Sequence, residues 1–343
     1  MLKIDIHTHI IPEKLPNFKS LFGYGGFITI EPVDCQCARL FFDNGEFFRD
    51  VQRNCWEAEA RLQDGDKNGI HYQVLSPIPV FFNYWGKPQD ILVLSKYLND
   101  HIAEIVHRHP SRFLGLGTVP LQDPHLAIEE MTRCVKELGL CGVEIGTHVN
   151  DWNLDEPSLF PFFQAAEKLG AALFIHPWDV MGKKEMPKYW LPWLIGMPGE
   201  TARAICCMIF SGLFEKLPRL RVAFAHGGGS FPYLFGRIRH GFNVRPDLCA
   251  VDNPYDPAKY IGQFYVDSLV QDRNVLEYLI KFFGSDCIVL GSDYPFPLGE
   301  HKPGSLVESM RELDLSVKEK IFSGNALKWL NLDKKSLTQE ETP

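Results

Sequence analysis

Short apolar runs recur along the chain, bounded by Gly, Pro, Asp or Ser, and most are followed by a stretch whose apolar residues fall at helical spacing. Eight runs read as strands: Lys3–Thr8, Tyr72–Ser76, Phe113–Val119, Gly142–Thr147, Ala172–His176, Arg221–Ala225, Phe264–Asp267 and Cys287–Gly291. The helices between them carry their own punctuation. Asp123 is a predicted N-cap with Pro124 at the first helical position, and the helix over Leu126–Leu138 stops at Gly139. The next begins near Asp155 or Ser158 and ends before Gly170. Strands alternating with helices, with no Gly/Ser linker, predict an α/β fold with a parallel sheet. Eight repeats in 343 residues favour a closed (β/α)8 TIM-type barrel over an open doubly wound sheet. A Rossmann sheet is demoted because no GxGxxG follows the first strand.

Two segments break the rhythm. Residues 13–50 carry Gly23, Gly25 and Gly26 and then the alternating Phe27-Ile28-Thr29-Ile30, which predicts a small β insertion beside the barrel mouth. Residues 177–200, rich in Pro, Trp and Gly, read as an active-site loop after the fifth strand. The expectation is one barrel domain over residues 1–332 and a polar tail at 333–343.

In such a barrel the C-terminal ends of all strands share one mouth, whatever their separation in sequence. The first strand supplies His7 and His9, which alternation places on one face. The fifth ends at His176, the sixth runs into His226, and the eighth into Asp293. Three imidazoles and a carboxylate, His7, His9, His176 and Asp293, are a sufficient donor set for a catalytic zinc. His226 is then spare, and a histidine beside a metal is a natural general acid–base because its ordinary pKa lies near neutrality. Glu144, on the fourth strand, either bridges a second metal or is an inward polar residue paired within the barrel, the second reading being favoured. Gly227–Gly229 let the backbone approach a ligand or turn sharply into the next helix.

Composition narrows the partners. The chain carries 35 Lys and Arg against 43 Asp and Glu and no basic run, so nucleic acid is not expected. No apolar stretch is long enough to span a bilayer, and the N-terminus leads directly into a strand without the regions of a signal peptide. Nine cysteines, an odd number without a CxxC pair, point to a reducing, cytoplasmic setting. An anionic substrate in an acidic protein needs locally placed arginines, for which Arg49, Arg237, Arg239 and Arg245 are candidates. Trp178, Trp190, Trp193 and Phe296 are candidate walls for a planar substrate.

These residues resemble the amidohydrolase superfamily, and within it the metal-dependent decarboxylases. The stretches Asp5–His9, Phe22–Gly26, Arg53–Trp56, Ile145–Asn150, His176–Asp179, Tyr189–Leu194, Phe224–Gly229 and Asp293–Glu300 carry the resemblance, which runs from Ile4 to about Leu330. It implies a zinc-dependent, non-oxidative decarboxylase acting on a small-molecule dicarboxylate. The implied zinc ligands are His7, His9, His176 and Asp293, with His226 as acid–base and Asp293 also catalytic. Implied substrate contacts are Arg49, Trp193 and Phe296, with Arg237 and Arg245 contributed across a homodimer interface. Asp43 stands where related enzymes offer a lysine, which puts an extra cationic contact in doubt. A hydroxybenzoate-type decarboxylase, or a hydrolase of cyclic amides or lactones, are the alternative activities for the same barrel.

Overall fold

The structure, a computed structural model, describes residues 1–337. Strand β1 (Ile4–Ile10) is followed by a short helix, Phe18–Phe22, and an antiparallel sheet of β2 (Ile28–Pro32), β3 (Cys37–Phe42) and β4 (Phe47–Gln52). Next come β5 (Tyr72–Pro77), β6 (Phe113–Gly117) and β7 (Gly142–Gly146), then a small ribbon of β8 (His148–Val149) and β9 (Trp152–Asn153). The last strands are β10 (Ala172–His176), β11 (Arg221–Phe224), β12 (Tyr265–Asp267) and β13 (Ile288–Val289). Eight of these form one parallel sheet in the order β1-β5-β6-β7-β10-β11-β12-β13. The Ile6 N–H donates to the Leu290 carbonyl at 2.9 Å and Thr8 bridges Tyr294 in parallel, so the last strand meets the first. The fold is the α/β barrel the strand–helix rhythm predicts.

Alternation along β10 shows how the barrel is filled. Ala172, Phe174 and His176 face inward, whereas Leu173 and Ile175 pack against the outer helices. Phe174 forms a floor beneath the mouth, 4.9 Å from the His7 ring, and Trp329 packs on it from the other side at 6.1 Å. The polar layer above is therefore carried on an apolar plug.

Several boundaries differ from the sequence reading for local reasons. β6 ends at Gly117 because the Thr118 N–H leaves the ladder for the Asn99 side chain at 2.7 Å. β13 is short because the Leu290 N–H turns to the Ile321 carbonyl. Asp123 caps its helix as expected, accepting from His125 and Leu126, and that helix spans Pro124–Lys136. The following helix starts at Phe160, behind a 3-10 turn over Pro157–Leu159, and stops at Gly170 with φ 67°. Residues 177–200 are not loop throughout: a π-helical turn, Pro192–Gly196, feeds the helix Met197–Phe210. Pro192 and Pro198 lie in first turns, where a missing N–H breaks no helical bond, so their presence did not forbid helix.

The insertion is the predicted β unit, extended by two residues to Gln52. Phe27, Ile28, Leu40 and Val51 pack on Phe81, Leu94 and their neighbours beside the mouth. The start of the polar tail is docked rather than free. Leu332 and Leu337 pack against the apolar plug, and Tyr72 Oη donates to the Leu337 carbonyl at 2.7 Å. Residues 338–343 of that tail lie outside the described residues. Among the described residues no helix is long and apolar enough to cross a membrane.

Candidate active site

His7 and His9 leave β1 with their rings 5.1 Å apart, and His176 closes the triangle from β10 at 5.1 Å from each. Asp293 follows β13, with Oδ1 3.5 Å from His7 Nε2 and 3.2 Å from His9 Nε2. One donor atom from each of the four lies within 4.8 Å of the others.

The hydrogen bonds behind the rings decide what these atoms can do. His7 Nδ1 faces the Asp267 carboxylate at 2.7 Å, His9 Nδ1 the Pro77 carbonyl at 3.0 Å, and His176 Nδ1 the Pro177 carbonyl at 2.9 Å. Carboxylates and carbonyls accept, so each Nδ1 carries the proton and each Nε2 keeps a free lone pair. All three Nε2 atoms are buried and without a hydrogen-bond partner. Leaving buried acceptors orphaned is costly, and three of them aimed at one point beside a carboxylate fit a divalent cation.

The local charges follow from this packing. Burial drives the His176 imidazole well below its usual pKa, with His226, His7 and His9 adding to the effect. Burial also opposes charge on His9, but Glu144 and Asp293 beside it prevail and raise it. Burial would raise the Asp293 carboxyl, yet His9 and His7 hold it down at about 2. Glu144 is pushed up to about 8 by burial. It lies 3.9 Å from His9 Nδ1, the nitrogen turned away from the donor cluster, and it belongs to no metal-competent group among the described residues.

His226 stands beside the donors, its ring 4.9 Å from His176 and 5.2 Å from His7, with Nδ1 unpartnered. Burial and the neighbouring His7 lower its pKa to about 4, below the near-neutral value expected from sequence. The neutral ring present at pH 7 is a proton acceptor. It is held out from β11 by a left-handed turn with φ 57° at His226 and 61° at Gly227.

Above this floor lies a cavity of about 170 Å³ that His9, His176, His226 and Asp293 line at its base. Arg49, Trp193 and Phe296, all anticipated from sequence, form its walls. The Arg49 guanidinium sits 4.2 Å from the Phe296 ring centroid and 5.0 Å from that of Phe48. Burial lowers its pKa, opposed by Asp293. Arg237 and Arg245 are exposed and do not line the cavity of their own chain; Arg245 pairs with Asp247 at 2.7 Å. Arg239 likewise pairs with Asp256 at 2.8 Å, outside the cavity. Asp43 accepts from the Gly26 and Phe27 N–H groups at 2.9 and 3.1 Å, so its carboxylate clasps the insertion instead of facing the pocket.

Sequence reasoning missed two features. Asp267 orients His7, and its signal was available, since β12 also ends in an acid. Phe48 completes the aromatic bracket around Arg49, and it falls where the β3–β4 register shifts, so simple alternation does not place it.

A metal-competent quartet at the mouth of a (β/α)8 barrel defines a class. A family model described as Amidohydrolase matches residues 4–332, and the chain belongs to that family. Among its relatives, the chain is 55% identical over 332 residues to the 2-amino-3-carboxymuconate-6-semialdehyde decarboxylase of Dictyostelium discoideum, covering 97% of this chain and 92% of that one. It is 36% identical to the enzyme of the same name from Caenorhabditis elegans, covering 99% and 96%. The fold also matches a dihydroxybenzoic acid decarboxylase from Polaromonas, solved with bound manganese and 2-nitroresorcinol. There the TM-score is 0.78 at 23% identity, covering 98% of this chain and 99% of that one.

Proposed function

We propose that this protein is a metal-dependent decarboxylase that converts 2-amino-3-carboxymuconate 6-semialdehyde to 2-aminomuconate 6-semialdehyde, a non-oxidative step of tryptophan catabolism through kynurenine. The observation that carries the reading is one cavity with His9, His176 and Asp293 of the donor quartet and His226 at its base, His7 buried beside them, and a guanidinium, Arg49, on its wall. The 55% identity to a decarboxylase of that name supports the choice of substrate.

His7, His9, His176 and Asp293 would hold the metal, which we assign as zinc because three imidazoles and a carboxylate form a donor set zinc takes readily. When bound, the cation supplies Lewis-acid charge at the base of the pocket. Arg49 binds a substrate carboxylate with its planar fork, which matches a carboxylate bidentately. Trp193 and Phe296 flank the planar conjugated chain. His226, neutral at pH 7, takes up a proton and delivers it to C3 of the substrate. The amino group on C2 then becomes an iminium β to the departing carboxylate, and the C–C bond electrons collapse toward it as CO2 leaves. Loss of CO2 thereby restores the conjugated enamine, with the delivered proton retained on C3 in place of the carboxylate and no change in oxidation level.

A dicarboxylate needs more cationic partners than Arg49, and we assign these to Arg237 and Arg245 of a second subunit in a homodimer. The exposed apolar side chains Tyr233, Leu234, Val244 and Leu248 on the same segment support an interface there. All nine cysteines are free, which supports a cytoplasmic setting.

The test is direct. Metal-stripped protein reloaded with zinc is given the freshly generated semialdehyde, and loss of its conjugated absorbance is followed together with CO2. Stoichiometric CO2 without consumption of an oxidant is the expected result. Inertness toward this substrate with turnover of a hydroxybenzoate, a cyclic amide or a lactone would overturn the assignment.

A further inference from the structure

We infer that Asp267 is a positioning residue that sets the orientation of His7 and the placement of His226 together, through one carboxylate shared between them. The inference rests on the proposed roles of those two histidines, and its test is chosen to separate them.

Asp267 ends β12 and is fully buried. Its Oδ2 accepts the His7 Nδ1–H at 2.7 Å and the His226 backbone N–H at 3.0 Å. Its Oδ1 accepts the Gly227 N–H at 2.8 Å and the Leu269 N–H at 3.2 Å. Both oxygens are thus filled by N–H donors from three different strand ends, and among the described residues no lysine or arginine pairs with it.

The turn it holds would not form on its own merits. His226 and Gly227 are left-handed in succession, a conformation unfavourable for a residue with a Cβ. Such a turn points consecutive N–H groups at one spot, an arrangement that suits an anion. Asp267 supplies that anion. The same oxygen that fixes the His7 tautomer therefore holds the backbone from which the His226 ring projects.

The clamp has little slack. A Cβ on Gly291 would come within 2.7 Å of Asp267 Cβ and 2.9 Å of His7 Cβ. One on Gly227 would lie 2.5 Å from Val270 Cγ1. Asparagine at position 267 has the right size but the wrong chemistry. With its oxygen toward Gly227 and Leu269, its NH2 faces His7 and His226, and His7 must surrender the Nδ1 proton to Nε2, where the lone pair is needed. With the amide reversed, the NH2 confronts two backbone N–H groups.

The experiment uses Asp267→Asn and, beside it, Gly291→Ala, whose methyl presses on the contact between Asp267 and His7 without removing either and which serves if the first variant does not fold. In metal-free, 15N-labelled protein, the His7 Nδ1–H and the His226 and Gly227 amide protons should lie downfield in the unmodified chain and move upfield together in either variant. Zinc affinity should fall about 10–100-fold, as for loss of other groups that orient ligands. At saturating zinc the variants should still turn over at least about tenfold more slowly with little change in KM, because general acid–base catalysis contributes on the order of 10²–10⁴ and depends on placement. Recovery of full turnover at saturating zinc, with the His226 and Gly227 amides unmoved, would overturn the inference and leave Asp267 as a support for His7 alone. His226→Ala in the same assay checks the underlying reading. If it turned over normally, the proton-carrier role would fail, while the amide shifts would still decide whether Asp267 couples the two sites.

Discussion

The three imidazoles His7, His9 and His176 each give their Nδ1 proton to a fixed acceptor, so their Nε2 lone pairs are presented before any cation arrives. Affinity then depends on all donors at once. His7→Ala or His176→Ala should lose bound zinc and activity together, measured by metal analysis after dialysis and by turnover. Stoichiometric zinc with normal turnover in His7→Ala would refute the ligand assignment. His226→Ala should behave differently, keeping zinc while turning over about 10²–10⁴-fold more slowly. Loss of metal in that variant would make His226 a ligand. These side chains were legible in sequence because a barrel gathers its strand ends, so His-x-His, two single histidines and an aspartate far apart in the chain converge by topology. What was not legible is how the neighbours tune them. The pKa of about 4 at His226 arises from burial beside His7, and no local motif encodes that.

At the scale of elements, the insertion decides where Arg49 stands. β3 and β4 turn at Asn44-Gly45, with Gly45 at φ 87°, and the register places Leu40 opposite Arg49. Asp43, just before that turn, ties it back to the Gly26-Phe27 backbone. A carboxylate holding two main-chain N–H groups at a half-exposed site is worth roughly 1–2 kcal/mol. Asp43→Ala should therefore lower the unfolding midpoint slightly and raise KM more than it lowers kcat, with zinc content unchanged. A KM equal to that of the unmodified chain would show that the clasp does not position Arg49. The β character of this unit was readable from the alternation Phe27–Ile30, and the barrel strands from their apolar runs. The helix that begins inside residues 177–200 was not, because Pro, Gly and Trp carry the same composition in a loop as in a helix's first turn. Where the N–H of Thr118 finds Asn99, a strand ends that its own sequence would continue.

At the scale of the whole molecule, the proposed dicarboxylate substrate poses a charge problem. The protein is acidic, with a formal net charge of −8, and its cavity holds a single arginine. A substrate with two carboxylates buried against that wall would give only one of them a guanidinium from the same chain, and an uncompensated buried charge costs several kcal/mol. Arg237 and Arg245 lie exposed on a segment with exposed apolar neighbours. If Arg49 serves its own pocket and Arg245 the pocket of a second subunit, Arg49→Ala and Arg245→Ala should each be severely impaired alone. Mixed and allowed to exchange, they form hybrid dimers in which one pocket carries both defects and the other carries neither. With random reassortment about half the dimers are hybrids, so about a quarter of all pockets are intact. Activity should rise toward that fraction as native mass spectrometry follows hybrid formation. If hybrids form and activity does not return, the two arginines do not complement across an interface, and the second carboxylate must be met from within one chain.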